Sequence, residues 1–279
     1  MIKLLSSDLN GTLVHQHTMS DMVRLYIGKE SFRKADSVFK KQANGIATME
    51  EAFATVGPLT RGLTLRQAID YTRTHMKYVD GFNEFIDALH NAGIPLVINS
   101  TGYSIIIYSI REQVGKDKIQ GQICNFLKFG ENGNPNSTLR EDELKILVAK
   151  YFANPEFSKD IIYDRIQATG VVELGIQDEA AKAKLVLDYA KKYFPEVKPN
   201  QIAHIGDTIG DSEGIFNIAK QGGLGIAFNY NEALERFLLG KLKTETIKGS
   251  IVFVEVKSAS SNLMRVVPYL LEKSTSQTF

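Results

Sequence analysis

Cysteine is nearly missing: the 279 residues carry one, Cys124. A single thiol excludes an intramolecular disulfide framework and fits a reducing compartment. Beside Phe126 and Leu127, Cys124 reads as a small buried hydrophobe. A charge excess is also missing. Lys and Arg total 33 against 32 acids, a net charge of +1, so no global field points to nucleic acid or an anionic membrane. No apolar run approaches the ~20 residues a bilayer span needs. Lys3 interrupts the short apolar N-terminus, which argues against a signal peptide. The expectation is a soluble, cytoplasmic protein. Long repeats and low-complexity tracts are absent, and 22 Gly with 7 Pro is ordinary globular usage.

What is present is an alternation of short apolar runs and helical periodicity. At 43% hydrophobic, the chain is long enough for one large core and an accessory domain. Residues 2–8 read as a buried parallel strand. Residues 20–80 are rich in Met, Lys, Arg, Glu and Gln at helical spacing, and read as a helical bundle inserted after that strand. Thr64 is placed to cap a helix over 65–73. Further on, 94–98, 123–129, 171–174, 201–206, 223–228 and 251–256 read as strands. Stretches near 82–91, 103–114, 139–152, 180–193 and 261–272 read as helices. This alternation predicts an α/β fold, a doubly wound parallel sheet with an inserted α-helical domain. The expected division is a core of 1–18 and 81–279, a helical cap of 19–80, and a small insertion at 136–180.

The polar clusters fall at strand ends, where ligands sit on such sheets. Asp8 ends the first strand, and Gly11-Thr12 follow. Ser100-Thr101-Gly102 end the second, and Asp207 and Asp211 follow the strand at 201–206. Three carboxylates at two strand ends suit a hard cation such as Mg²⁺. A carboxylate, a hydroxyl and an ammonium in this order suit phosphoryl transfer. Lys182 and Lys184 lie about 200° apart on a helix, so one faces inward. Leu185, Val186 and Tyr189 follow Lys182 at i+3, i+4 and i+7, which selects Lys182.

These motifs together resemble the haloacid dehalogenase superfamily of aspartyl-phosphate phosphatases. Asp8-Leu9-Asn10-Gly11-Thr12-Leu13 is similar to its first motif and Ile98-Asn99-Ser100-Thr101-Gly102 to its second. Lys182 is similar to the third, and Gly206-Asp207-Thr208-Ile209-Gly210-Asp211 to the fourth. A helical cap between the first two motifs resembles the phosphoserine-phosphatase-like members, as does Gly222–Asn229 after the fourth. The resemblance implies a Rossmannoid core and a small phosphorylated metabolite as partner. Asp8 would be nucleophile and Mg²⁺ ligand, with the Asn10 carbonyl and Asp207 as further ligands. Asp211 would orient metal-bound water or Lys182, itself counted with the metal group. Gly11, Ser100, Thr101, Gly102 and Lys182 would bind phosphate.

Two departures matter. The family's phosphatases carry Asp two residues after the nucleophile, as general acid and base. Asn10 has no proton to exchange at neutral pH, a loss of typically ~10²–10⁴ in rate. It is either a substitution made to trap a substrate or a native residue marking a slow, altered or non-catalytic member. The expected activity is hydrolysis of a small phosphomonoester, and the alternative is an inactive phosphometabolite-binding or regulatory protein. The cap departs too. His17 and Val56 stand where phosphoserine-specific members place Glu and Arg, which argues against phosphoserine. His15, His17, Arg61 and Arg66 are either substrate contacts or solvated side chains. The 136–180 segment either mediates a homodimer or shapes the entrance. A dinucleotide-binding reading lacks its Gly-x-Gly-x-x-Gly motif.

Overall fold

A computed structural model describes residues 1–43 and 46–271. The sequence-based helix over 261–272 ends outside them. Within them, residues 263–265 form a short 3-10 turn, followed by a helix over Val267–Leu271. In chain order the strands are β1 (Leu4–Ser7), β2 (Leu96–Tyr103), β3 (Gly121–Glu131), β4 (Ile166–Glu173), β5 (Ile202–Gly206), β6 (Leu224–Tyr230) and β7 (Ser250–Val256). They form one sheet in the order β4-β3-β2-β1-β5-β6-β7. β1 lies in the middle because Leu4 and Leu5 are fully buried and β2 and β5 flank it in parallel.

The sheet departs from the all-parallel expectation at one edge. β3 pairs in parallel with β2 through its first half, then continues as an antiparallel arm against β4. The 171–174 run is therefore the end of a longer strand. Its first half, Ile166-Gln167-Ala168-Thr169-Gly170, is the more buried half, but small and polar residues packed under α3 and α4 replace the apolar run that marks a buried strand.

Helices before β2 are α1 (Thr18–Met22), which runs into a π-helical turn over Val23–Ile27, α2 (Lys29–Ala43), α3 (Met49–Leu59), α4 (Leu65–His75) and α5 (Phe82–Asn91). Thr48 and Thr64 form capping boxes with Glu51 and Gln67 and so start α3 and α4. After β2 come α6 (Ser104–Val114), α7 (Glu141–Ala153), α8 (Pro155–Ser158), α9 (Ile162–Arg165), α10 (Lys182–Tyr193), α11 (Ser212–Lys220), α12 (Glu232–Thr244) and α13 (Val267–Leu271). Asn154 caps α8 through Glu156 N–H, so the Asn154-Pro155 break restarts a helix.

Helices α1–α4 stand over the carboxyl end of the sheet and are tied to the β3–β4 arm. Gly57 of α3 packs on Gly170, where an added Cβ would lie 2.6 Å from the Gly170 carbonyl oxygen. Gly62 N–H donates to Ala168 O, and Ala168 N–H donates to Leu63 O. Arg61 Nε donates to Thr169 O at 3.2 Å. Arg66 forks onto Asp164 at 2.7 and 3.0 Å and also reaches the Ser158 and Asp160 carbonyls. Both arginines are thus turned to the β4 side rather than to a ligand, Arg61 remaining exposed and Arg66 partly buried. No helix among the described residues is long and apolar enough to cross a membrane.

Candidate active site

Three adjacent strands, β2, β1 and β5, end side by side, and their ends carry the site. Asp8 follows β1, Ser100, Thr101 and Gly102 lie at the end of β2, and Asp207 follows β5. Lys182 opens α10, and Asp211 ends the 3-10 turn before α11. One carboxylate oxygen from each of Asp8, Asp207 and Asp211 falls within a single cluster no wider than 4.8 Å. Asp8 is 6%, Asp207 1% and Asp211 1% exposed.

Lys182, 2% exposed, donates to Asp8 Oδ1 at 3.0 Å and to Asp211 Oδ1 at 2.6 Å. Burial alone would neutralise it, but Asp211 and Asp8 hold it protonated. Lys184 points outward and pairs with Asp188 at 2.8 Å. Burial pushes Asp8 up to about 6, against the pull of Lys182. Burial and the two neighbouring carboxylates raise Asp207 well above the usual range. Asp211 is equally buried, yet Lys182 keeps it below the usual value.

The two acids after β5 differ in how they are engaged. Asp211 is saturated: Oδ1 takes Lys182, and Oδ2 accepts from Asp207 N–H at 3.2 Å and Thr208 N–H at 3.3 Å. Asp207 receives Thr12 Oγ1 on Oδ1 at 3.1 Å, while its buried Oδ2 has no hydrogen-bond partner. The nearest cation to that oxygen is Lys257 Nζ at 3.6 Å. A buried, unpartnered carboxylate oxygen among two other carboxylates fits a hard cation. Gly11 is required beside it. Its φ is +85°, and a Cβ would lie 2.1 Å from Asp207 Oδ2. Asn229 Nδ2 holds the Gly11 carbonyl at 2.6 Å.

The Asn10 amide is fixed as well. Its Oδ1 accepts from Thr18 N–H at 2.9 Å, at the start of α1. Its Nδ2 turns to the Gly102 side, 3.6 Å from where a Gly102 Cβ would be. Ser100 Oγ accepts from Gly102 N–H at 3.2 Å.

Beneath the site runs a buried chain that the motifs do not reveal. Asn99 Nδ2 donates to Ser6 Oγ at 3.3 Å and to Lys182 O at 3.0 Å. Ser6 Oγ and His204 Nδ1 share a hydrogen bond at 2.9 Å, its donor set by the imidazole tautomer. His204 is neutral, since burial lowers it to about 4. Its Nε2 is buried without a hydrogen-bond partner, 3.9 Å from Asp211 Oδ1. A Ser in β1 and a His in β5 are the only local signals of this chain, and nothing local says that the two sit opposite each other across neighbouring strands.

A cavity of about 400 Å³ lies above Asp8. Asn10, Thr101, Lys182 and Asp211 line its floor, and residues of α1–α3 line its roof. His17 lines this cavity, packed at 4.8 Å on Phe39, and is exposed to solvent there. His15 does not line it; its N–H donates to Lys77 O. Val56 is buried in the core, and Cys124 is likewise buried. Glu179, just before Lys182, also lines the cavity and accepts from Gln42 of α2 at 3.5 Å.

No family model matches the chain. A phosphoserine phosphatase of Archaeoglobus fulgidus is 23% identical over 248 residues, which are 88% of this chain. The match spans 58% of that relative's length. A solved phosphoserine phosphatase in substrate-bound form is 18% identical, with a TM-score of 0.64 over 97% of this chain and 99% of the other. A phospho-aspartyl intermediate analogue of phosphoserine phosphatase gives 19% and 0.63, over 96% and 99%. A HAD family hydrolase from Salmonella enterica serovar Typhi gives 13% and 0.64, over 97% and 72%. The chain thus has the haloacid dehalogenase fold in its phosphoserine-phosphatase-like form, a Rossmannoid core beneath a helical cap.

Proposed function

We propose that this chain is a Mg²⁺-dependent phosphomonoesterase that works through an aspartyl-phosphate on Asp8. The observation that carries this reading is Lys182, buried and shared between Asp8 and Asp211, at the floor of a covered cavity. Its relatives named as phosphoserine phosphatases support the reaction class. The division of labour is cap over 19–80 and core over the rest, with 136–180 bracing the cap.

Asp8, Asp207 and the Asn10 carbonyl would hold Mg²⁺, and the open Asp207 Oδ2 is the oxygen ready for it. When bound, the cation neutralises charge developing on the phosphoryl oxygens. Asp8 attacks phosphorus. Lys182 keeps Asp8 ionised and offers a proton donor to the transferring oxygens. Ser100, Thr101 and the Gly102 N–H cradle phosphate. Asp211 positions Lys182. The cap excludes water from the acyl-phosphate until hydrolysis.

A second reading, a phosphometabolite-binding protein without turnover, is favoured by the amide at Asn10. One experiment separates them. The chain and its Asn10→Asp variant are assayed for phosphate release from a broad panel of phosphomonoesters with Mg²⁺. Thr18 N–H can donate to an oxygen of either side chain, so the variant should gain ~10²–10⁴-fold in rate. No release by a folded Asn10→Asp protein across the panel would leave the binding reading standing.

A further inference from the structure

The roof of the cavity has a character that phosphate chemistry does not use. Deepening the proposed function, on which it rests, we infer that the substrate's organic part is a flat, largely apolar group without a carboxylate. An aryl phosphomonoester fits this description, and a phosphorylated amino acid does not.

Three buried apolar side chains form part of the roof: Met19, Phe39 and Met49, 1%, 8% and 5% exposed, line the cavity beside the polar Ser20, Asp36, Lys40 and Gln42. The Phe39 ring is held between His17 at 4.8 Å and Phe53 at 5.6 Å, so it is a stiff wall. Thioethers beside a ring make favourable contacts with a second aromatic group. At about 400 Å³, the space falls within the roughly 300–1,000 Å³ of sites that enclose whole small molecules. It extends well beyond a phosphate.

Charge points the same way. Glu179 lines the cavity and opposes an incoming carboxylate, while the charge of Asp36 is matched by Lys40. Of the two lysines in the lining, Lys182 is buried and engaged by Asp8 and Asp211, and Lys40 forms a solvated i,i+4 pair with Asp36 at 2.8 Å. Among the described residues no arginine lines the cavity, and Arg61 and Arg66 are committed to the β4 side. His17 lines the cavity with its Nδ1 3.0 Å from Ser20 Oγ. An amino-acid carboxylate would find no buried cation free to pair with it among the described residues, and the exposed Lys40 is shared with Asp36.

The test is calorimetric binding to the full chain with Mg²⁺ of two non-hydrolysable phosphonates, with inorganic phosphate as the third ligand. Benzylphosphonate should bind at least about tenfold tighter than L-2-amino-4-phosphonobutyrate. Phe39→Leu should reduce that ratio. Asp36→Asn, at a half-exposed position that tolerates change, should reduce it from the other side by improving the aminophosphonate. Inorganic phosphate that binds while the aminophosphonate equals or beats benzylphosphonate overturns this inference alone. Failure of all three ligands to bind overturns the phosphate site and the inference together.

Discussion

At position 10 an NH₂ group replaces one oxygen of the acid found in related phosphatases, and the surrounding hydrogen bonds tolerate both. Thr18 N–H needs only an oxygen, which Asn10 supplies. Under the proposed function, what Asn10 would lack relative to Asp is proton transfer, not shape. His204 is the second informative residue. Its Nδ1 and the Ser6 hydroxyl form a buried hydrogen bond whose donor the imidazole tautomer sets. His204→Leu removes the partner of the buried Ser6 hydroxyl and should cost ~1–3 kcal/mol in urea denaturation. Lys182→Met is more severe. It strips the buried Asp8 and Asp211 of the one ammonium close to them among the described residues, which typically costs ~3–5 kcal/mol. A Lys182→Met protein as stable as the parent would mean that the ion triad contributes little.

The element that most shapes this molecule is β4. By turning antiparallel to β3 it offers the cap a backbone edge and a close glycine contact. Gly170 has φ of +82°, and its Cβ position lies 3.1 Å from Pro58 Cα. Gly170→Ala thus combines backbone strain with overpacking against α3. It should destabilise by ~1–3 kcal/mol, read from thermal melts, and should speed proteolytic nicking of the cap. Unchanged nicking would show that the α3–β4 contact does not hold the cap. Thr48 and Thr64 made the starts of α3 and α4 legible, because a capping box is written within four residues. β4 was half legible, because a margin strand under a cap needs no apolar alternation.

Across the whole molecule, the cluster of buried charges links stability to pH and metal. Without metal, Asp8 and Asp207 hold protons more tightly folded than unfolded. Their contribution is present at low pH and lost as pH rises through about 6 for Asp8. His204, buried and lowered to about 4, acts the opposite way. Its contribution is complete above about 6.5 and lost as pH falls toward 4. The two effects oppose each other across that window. Mg²⁺ takes the carboxylates deprotonated, so its stabilisation should be larger near pH 7.5 than near pH 5. Scanning calorimetry with and without Mg²⁺ reads this directly. Equal shifts at both pH values would argue against carboxylate ligation.

The sequence by itself determined the α/β alternation, the central strand ending at Asp8, the inward lysine of α10 and the helical character of 20–80. Each follows from local periodicity, or from a residue type at a strand end, and periodicity survives in one dimension. Only the tertiary structure decided that Asp211 is saturated while Asp207 keeps an open oxygen. It also decided that His17, not His15, faces the cavity, and that Arg61 and Arg66 brace the cap. These outcomes depend on which distant groups arrive within 3–4 Å, such as Thr12 at Asp207 and Asp164 at Arg66. Such meetings are set by strand order and packing, which no local pattern encodes.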